Sequence, residues 1–270
     1  MLRVTQINIF PIKACRGYSV EKTALETRGF EGDRRYLVVN EHGVFLTQRT
    51  HPQMALIRLR PADDGYLVEA PDKIPWRLPR ALTSGDSRRV TIWRDEVDAI
   101  LAPGDMNAWF SGVIGIPCQL VYMNNPCSRG VKSGYGRAED DLSFADGAPV
   151  MLISVESLGT LNQRLEKPVE MERFRPNLVV TTGAAFAEDS WKQIRINETE
   201  FEVAWPCSRC TVPTVDLASG KRDRHGEPLR TLREFRSGPG GVTFGQNLIP
   251  RRLGRVTVGD SIEIVESAEP

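Results

Sequence analysis

The chain has 270 residues, room for one large domain or two ordinary ones, and 40% of them are apolar, enough for a substantial core. Lys and Arg number 35 against 35 Asp and Glu, so no net field draws nucleic acid or an anionic membrane surface. Charges interrupt every apolar run before it reaches membrane-span length, and the apolar alternation that starts at Val4 leaves no room for a signal peptide; the sequence reads as soluble and cytoplasmic, with no membrane anchor.

The N-terminal third reads as short strands. Val4, Ile7 and Ile9 form the first, which breaks at Pro11-Ile12-Lys13. Arg35–Val39 is a second, turned by Asn40-Glu41-His42-Gly43 into Val44–Leu46. Met54–Leu59, Tyr66–Val68 and Val90–Trp93 are three more. So many short strands with frequent turns predict a small β-barrel or sandwich. A helix is predicted from Asp105 to Gly115, with Asp105 as N-cap and Trp109, Phe110 and Val113 on one face. The polar, glycine-rich stretch from Asn124 to Asp141 carries Arg129, Lys132 and Arg137 and reads as a long, mobile surface loop between two units.

Beyond it, Val150–Ile153 is a strand. Ser154 caps a helix through Leu165 with Val155, Leu158, Leu161 and Leu165 at helical spacing. Leu178–Val180 is a strand, Ile194–Asn197 turns into Glu200–Ala204, and Pro228 opens a helix to Phe235. Arg255–Ile264 reads as an alternating hairpin around Gly259-Asp260. The sum is a mainly β (α+β) chain in two units, 1–122 and 123–270, with a few helices.

Four features carry chemistry. The first is Pro206-Cys207-Ser208-Arg209-Cys210, one Cys-x-x-Cys pair among five cysteines. Structural zinc wants four ligands, and the three histidines are scattered. A redox disulfide prefers a helix N-terminus, whereas Thr211-Val212-Pro213-Thr214-Val215 predicts strand or loop. A single thiolate on a metal held mainly by an organic cofactor is a third reading, and two buried thiols a fourth. The second feature is a set of basic residues at strand ends: Lys13, Arg34, Arg175 and Arg209. An arginine before proline, as in Arg175-Pro176, is expected to be extended, and its fork of donors suits a phosphate. The third is Asp146, in an Asp-Gly turn before a strand: either a loop residue or a carboxylate at the mouth of a site. The fourth is Gly240–Leu248, whose glycines permit close backbone approach and whose Gln246 and Asn247 offer donors and acceptors.

Phe174-Arg175-Pro176-Asn177, the Pro206–Cys210 motif with Thr214-Val215-Asp216, Phe244-Gly245-Gln246-Asn247 and Val258-Gly259-Asp260 stand in the order found in MOSC-domain proteins. Pro11–Gly17 and Gly32–Tyr36 resemble the small β-barrel domain that precedes MOSC in one branch, which includes the mitochondrial amidoxime-reducing components and bacterial reductases of N-hydroxylated compounds. The resemblance implies an N-terminal β-barrel domain over 1–122 and a MOSC β-barrel domain over 123–270. It implies a molybdenum cofactor in single-phosphate pyranopterin form and reduction of hydroxylamines, amidoximes or N-hydroxylated bases. By motif position Cys210 is the metal ligand and Cys207 a structural neighbour. Lys13, Arg34, Arg175, Asn177, Ser208 and Arg209 match cofactor-contacting positions, Asn247 another, and Asp146 a carboxylate close to the metal. Ala14, Gly147 and Ala148 stand where relatives can carry hydroxyls, and Asn247 where animal relatives have an aromatic residue. No iron–sulfur ligand set is present, which implies a separate electron-transfer partner of ferredoxin or flavoprotein type. The rival readings are a cofactor carrier or sulfur-transfer protein without net reduction, and a metal-free binding module.

Overall fold

The computed structural model describes residues 1–125, 127–131 and 134–268. Lys132, counted above among the basic loop residues, lies outside them. The fold is mainly β, organised around one large sheet and three small ones. The large sheet runs in the order Ile262–Ser267, Trp191–Ile196, Thr199–Ser208, Gly241–Arg252, Val150–Ser154, Leu178–Thr181, Arg3–Ile9, Tyr18–Val20, with Ser237–Gly238 paired to one end of Gly241–Arg252. Its pairs are antiparallel except Val150–Ser154 with Leu178–Thr181, which are joined through the helix Val155–Asn162 as parallel strands require. The first two strands of the chain therefore join a sheet built otherwise from the second half. Val4, Ile7 and Ile9 share an apolar cluster with Val150, Leu178, Ile194, Phe201 and Leu248.

A four-stranded sheet (Tyr36–Asn40, Cys118–Tyr122, Asp95–Leu101, Ser87–Ile92) and a three-stranded one (Arg58–Ala62, Gly65–Glu69, Trp76–Pro79) supply the other main core. There Tyr36, Met54, Tyr66, Phe110 and Leu120 pack together under the helix Gly104–Ile114.

Several expectations change. The helix starts at Gly104 after Pro103, so Asp105 lies in the first turn rather than at the cap. Pro52 begins a 3₁₀ turn through Leu56, and the strand starts only at Arg58. Trp93 leaves the strand and sits in the two-residue turn between Ile92 and Asp95. The Ser154 cap forms as expected, its hydroxyl accepting from the Ser157 amide, but the helix stops at Asn162. Thr-Val-Pro-Thr after Cys210 makes a 3₁₀ turn at Val212–Thr214 rather than strand or open loop. Arg255–Ile264 is not a hairpin. Gly254–Thr257 pairs with Lys22–Glu26, while Ile262–Ser267 pairs with Trp191–Ile196, because the edges of both partners are open at this point. The Gly259-Asp260 turn is kept, but it docks on the first strand through Gly259 N to Val4 O (2.8 Å).

The loop after Asn124 is anchored rather than loose. Arg129 is buried, donating to the carbonyls of Ser143 (3.1 Å) and Ala145 (2.6 Å) and pairing with Asp95 (2.6 Å). Asp140 is buried against Arg251.

Candidate functional site

The sheet layout brings three backbone segments side by side. The turn Pro11–Gly17 leaves the first strand and runs beside Tyr36, with Tyr36 N on Pro11 O and Lys13 N on Tyr36 O, both 2.9 Å. Arg34 N donates to Phe10 O (2.8 Å), and Phe144 N donates to Arg34 O (3.0 Å). Lys13, Arg34 and Asp146 are thus gathered by main-chain bonds before any side chain acts.

The Lys13 ammonium donates to Asp146 Oδ1 (2.6 Å) and to Phe144 O (2.7 Å). Lys13 is buried, and burial pushes its pKa down to about 8, against the upward pull of Asp146. Asp146 differs: its side chain is 69% exposed. Surrounding protein opposes its ionisation, yet Lys13, Arg49 and Arg34 outweigh that and hold its carboxyl well below the usual carboxylate range. Both facts fit a carboxylate on the floor of an open pit, reached by water but ringed by protein. We take it as ionised at neutral pH.

On the other side of Arg34 lies a second cation. Phe10 presents its ring to both, with the Arg34 guanidinium 4.8 Å and the Arg175 guanidinium 4.3 Å from the ring centre. Arg34 is held by Asp33, by Asn177 Oδ1 (3.0 Å) and by Arg175 O (3.2 Å). Asn177 is buried and fully engaged, its amide donating to Asn8 O (3.1 Å). Arg175 donates through Nη1 to Cys15 O (2.5 Å), whereas its buried Nη2 has no partner among the described residues. Burial and the neighbouring Arg34 lower its pKa to about 10. The expectation that Arg175 is extended before Pro176 is wrong. It caps the 3₁₀ turn Met171–Phe174 in the left-handed region, at φ 58°, ψ 43°.

The cysteine motif approaches from the sheet. Thr199–Ser208 pairs with Gly241–Arg252, and Arg209 N continues the ladder to Val242 O (2.7 Å). On its other side the strand Gly241–Arg252 lies against Val150–Ser154, and Gly245 permits that approach. It has φ 78°, and a Cβ there would stand 2.5 Å from Leu152 O. Arg209 turns inward: Nε and Nη2 donate to Phe244 O (2.8 and 2.6 Å) and Nη1 to Phe174 O (3.0 Å). It braces the motif against the Arg175 turn, with little left over for a ligand. The Ser208 hydroxyl donates to Gly240 O (2.9 Å). Asn247 is buried on its strand between Met151 and Trp205. Cys207 and Cys210 are free thiols, both half-buried. Cys207 packs beside Met151, Phe174 and Phe244. Burial raises its pKa; Arg209 and Arg34 oppose this, while Asp146 and Cys210 reinforce it, so the motif lies within electrostatic reach of the pit. Among the described residues, no group of three or more His, Cys, Asp or Glu side chains is arranged to hold a metal ion.

The nine residues singled out from sequence thus occupy one contiguous region. Lys13, Arg34 and Asp146 form the pit, Arg175 and Asn177 flank it, and Arg209 and Asn247 meet Met151, whose amide also donates to Asn177 Oδ1 (3.3 Å), with Ser208 and Cys210 on either side of Arg209 in the chain.

Two family descriptions cover most of the chain: the MOSC N-terminal beta barrel domain matches residues 1–117 and the MOSC domain residues 139–263. Mitochondrial amidoxime-reducing component 1 of Mus musculus is 33% identical over 280 residues, spanning 97% of this chain and 82% of that protein. The chain belongs to the MOSC family. Molybdenum cofactor sulfurase of Oryza sativa subsp. japonica is also 33% identical over 264 residues, but these make up only 32% of that protein. Among solved structures, the YUAD protein from Bacillus subtilis aligns over 97% of this chain and 94% of its own with 11% identity and a TM-score of 0.45, too low to support any argument.

Sequence reading of this MOSC protein missed Phe10, Arg49, Trp93 and Arg129. Trp93 donates its indole N–H to Asp146 Oδ1 (3.1 Å), Arg49 stacks on the Trp93 ring (4.1 Å), and Arg129 holds the carbonyls on either side of Phe144. Phe10 had a signal, an aromatic residue directly before Pro11-Ile12-Lys13. The others come from distant loops with no local pattern. One backbone feature unites the site: of the seven non-glycine residues with positive φ among the described residues, Ala14, Arg34, Trp93 and Arg175 are here. Strain of this kind persists where surrounding structure enforces it, and it gathers at functional sites.

Among the described residues, no helix is long and apolar enough to cross a membrane.

Proposed function

We propose that this MOSC protein reduces N-hydroxylated small molecules (hydroxylamines, amidoximes, N-hydroxylated bases) with a molybdenum cofactor in single-phosphate pyranopterin form, using electrons from a separate ferredoxin- or flavoprotein-type partner. The observation that carries this reading is Arg175 Nη2, a buried cationic donor without a partner among the described residues, beside a second arginine on the same aromatic ring. What such a group lacks is an anion with several oxygens, and a phosphate monoester fits. A cysteine sulfur in the adjoining motif suits a soft transition metal, and the absence of a protein metal cage among the described residues suits a metal brought mainly by an organic ligand.

When bound, the cofactor supplies two-electron redox chemistry at a single metal. The chain supplies the rest. Arg175 and Arg34 take the phosphate, Cys210 contributes one thiolate, and Asn177, Ser208, Arg209 and Asn247 complete and brace the contact set. Reducing N–OH to N–H and water consumes two electrons and two protons. Asp146 is ionised at neutral pH, so it meets the substrate as a hydrogen-bond acceptor or holds a water, and passes protons rather than storing one. Lys13, 2.6 Å away with a pKa of about 8, is the group that bears the proton. In this reading residues 1–122 form the N-terminal β-barrel domain and 123–270 the MOSC domain, and the protein works in the cytoplasm.

The test compares Cys210→Ala with Cys207→Ala after expression in a cofactor-competent host, scoring bound molybdenum and hydroxylamine or amidoxime reduction. Loss of metal and turnover in the Cys210 variant alone is expected; equal loss in both sinks the ligand assignment. Asp146→Asn should keep metal and lose turnover. A cofactor carrier or sulfur-transfer role is the second reading, favoured by the sulfurase relatives. Stoichiometric metal with no reduction of any N-hydroxylated substrate, given a competent electron donor, would select it.

A further inference from the structure

We propose that Trp93 is a positioning residue for Asp146, a role that rests on the reading of Asp146 as the group that meets the substrate. Trp93 occupies the two-residue turn joining Ser87–Ile92 to Asp95–Leu101, at φ 59°. Turns of this length favour glycine, asparagine or aspartate at positive φ, and a bulky aromatic residue there is an outlier. The turn therefore gains nothing from tryptophan; the indole does. Its N–H reaches Asp146 Oδ1 at 3.1 Å, the same oxygen that accepts from Lys13 at 2.6 Å. Oδ1 is thereby saturated. Among the described residues, no hydrogen bond engages Oδ2, and the side chain is 69% exposed. With two donors on one oxygen, rotation of the carboxylate about its Cβ–Cγ bond is restrained, and Oδ2 is left free to meet a substrate or water.

The indole is itself held. Arg49 lies over its ring at 4.1 Å and Phe45 tilts against it at 5.3 Å, while Phe45 also lies 5.9 Å from the Lys13 ammonium. Lys13 and Trp93 are thus set against one aromatic neighbour, and both aim at one oxygen. The other charged or titratable groups acting on Asp146 are Arg34, Arg49, Arg129 (which donates to its carbonyl at 3.5 Å) and Cys207. None of them donates a hydrogen bond to its carboxylate, so the indole has no substitute.

Trp93→Phe keeps an aromatic ring for Arg49 and removes the five-membered ring with its N–H. Losing one hydrogen bond to a charged group predicts a kcat on the order of tenfold lower, with KM changed less than about threefold. In an Asp146→Asn background the same substitution should cost nothing more, because the two residues act as one unit. Independently of cofactor and activity, the Trp93 indole N–H resonance of the full chain, assigned by its disappearance in Trp93→Phe, should move when Asp146 becomes Asn. Wild-type kcat in Trp93→Phe, multiplicative losses in the double variant, or an indole resonance indifferent to Asp146 would each overturn the proposal. If the wild-type chain reduces no N-hydroxylated substrate, the functional reading fails, and the indole resonance alone then decides whether Trp93 fixes Asp146.

Discussion

Arg175 is the residue whose removal tests the site most sharply, because the structure predicts little effect on the stability of the unliganded chain and a large loss of anion binding. Arg175→Met removes a charge-assisted hydrogen bond to Cys15 O, worth about 1.5–3 kcal/mol, and a cation–π contact with Phe10 worth about 0.5–2 kcal/mol. It also removes a buried Nη2 donor without a partner, a penalty of about 1–3 kcal/mol, and the repulsion from Arg34 that helps depress its pKa. The gains and losses nearly cancel, so the unliganded variant should lie within about 1 kcal/mol of wild type. For a chain of this size that is a shift of roughly 2–4 °C in Tm. If Arg175 were only a structural brace, breaking its contacts would instead cost about 3–5 kcal/mol.

Anion binding responds differently. With a Kd of ~1 mM for inorganic phosphate, 50 mM phosphate stabilises the wild type by about 2.3 kcal/mol, or roughly 5–9 °C. The methionine variant should lose most of that increment. Arg175→Lys, which keeps the charge but not the fork, should retain part of it. Melting curves of wild type, methionine and lysine variants with and without phosphate at fixed ionic strength decide the matter. A full phosphate increment in Arg175→Met, or a collapse of its Tm in the absence of phosphate, refutes the reasoning.

Two more predictions concern the site's electrostatics and its backbone. Asp146 has a folded pKa below its unfolded value of about 3.9, so its contribution to stability is complete above that value and is lost as pH falls through the folded one. Lys13 is lowered from 10.5 to about 8, so between these values the unfolded chain binds more protons and stability rises with pH. Urea midpoints from pH 3 to 10 should show both limbs in the wild type; Lys13→Met should remove the alkaline one, and its persistence would show that Lys13 is not the buried cation responsible. Gly245→Ala must adopt φ 78° with its Cβ 2.5 Å from Leu152 O, and should cost at least about 2 kcal/mol by urea unfolding. A neutral result would mean that the two strands separate easily at that point.

Much of the fold could be read from periodicity: the strands at Val4–Ile9, Tyr66–Val68, Val150–Ile153 and Leu178–Val180, the Ser154 cap and the Ile194–Ala204 hairpin all rest on local pattern. The errors share a physical cause. Arg255–Ile264 alternates as a hairpin would, yet each half finds a distant open edge at Lys22–Glu26 or Trp191–Ile196, and non-local pairing overrides local turn chemistry. Residues 124–141 look solvated by composition, but Arg129 carries its charge inward because Asp95 and two carbonyls meet it there. Arg175 violates the pre-proline preference because its turn, Phe10 and Cys15 O together hold the left-handed conformation.

The same logic separates two kinds of site residue that motif order alone treats alike. Arg209 and Arg175 both occupy motif positions and both carry a guanidinium toward the same turn. Arg209 makes three hydrogen bonds at 2.6–3.0 Å to two carbonyls, Phe244 O and Phe174 O, so its donors are consumed by the fold. Arg175 spends Nη1 on one carbonyl and leaves Nη2 buried and unmet. A buried unpartnered cationic donor is costly, and proteins retain such a group where a ligand removes the cost. Strain points the same way: Arg175, Arg34, Ala14 and Trp93 hold positive φ, whereas Arg209 continues a regular ladder. In the proposed function Arg209 therefore builds the site, and Arg175, with Arg34 beside it, takes the anion. Only the accounting of individual N–H groups distinguishes them.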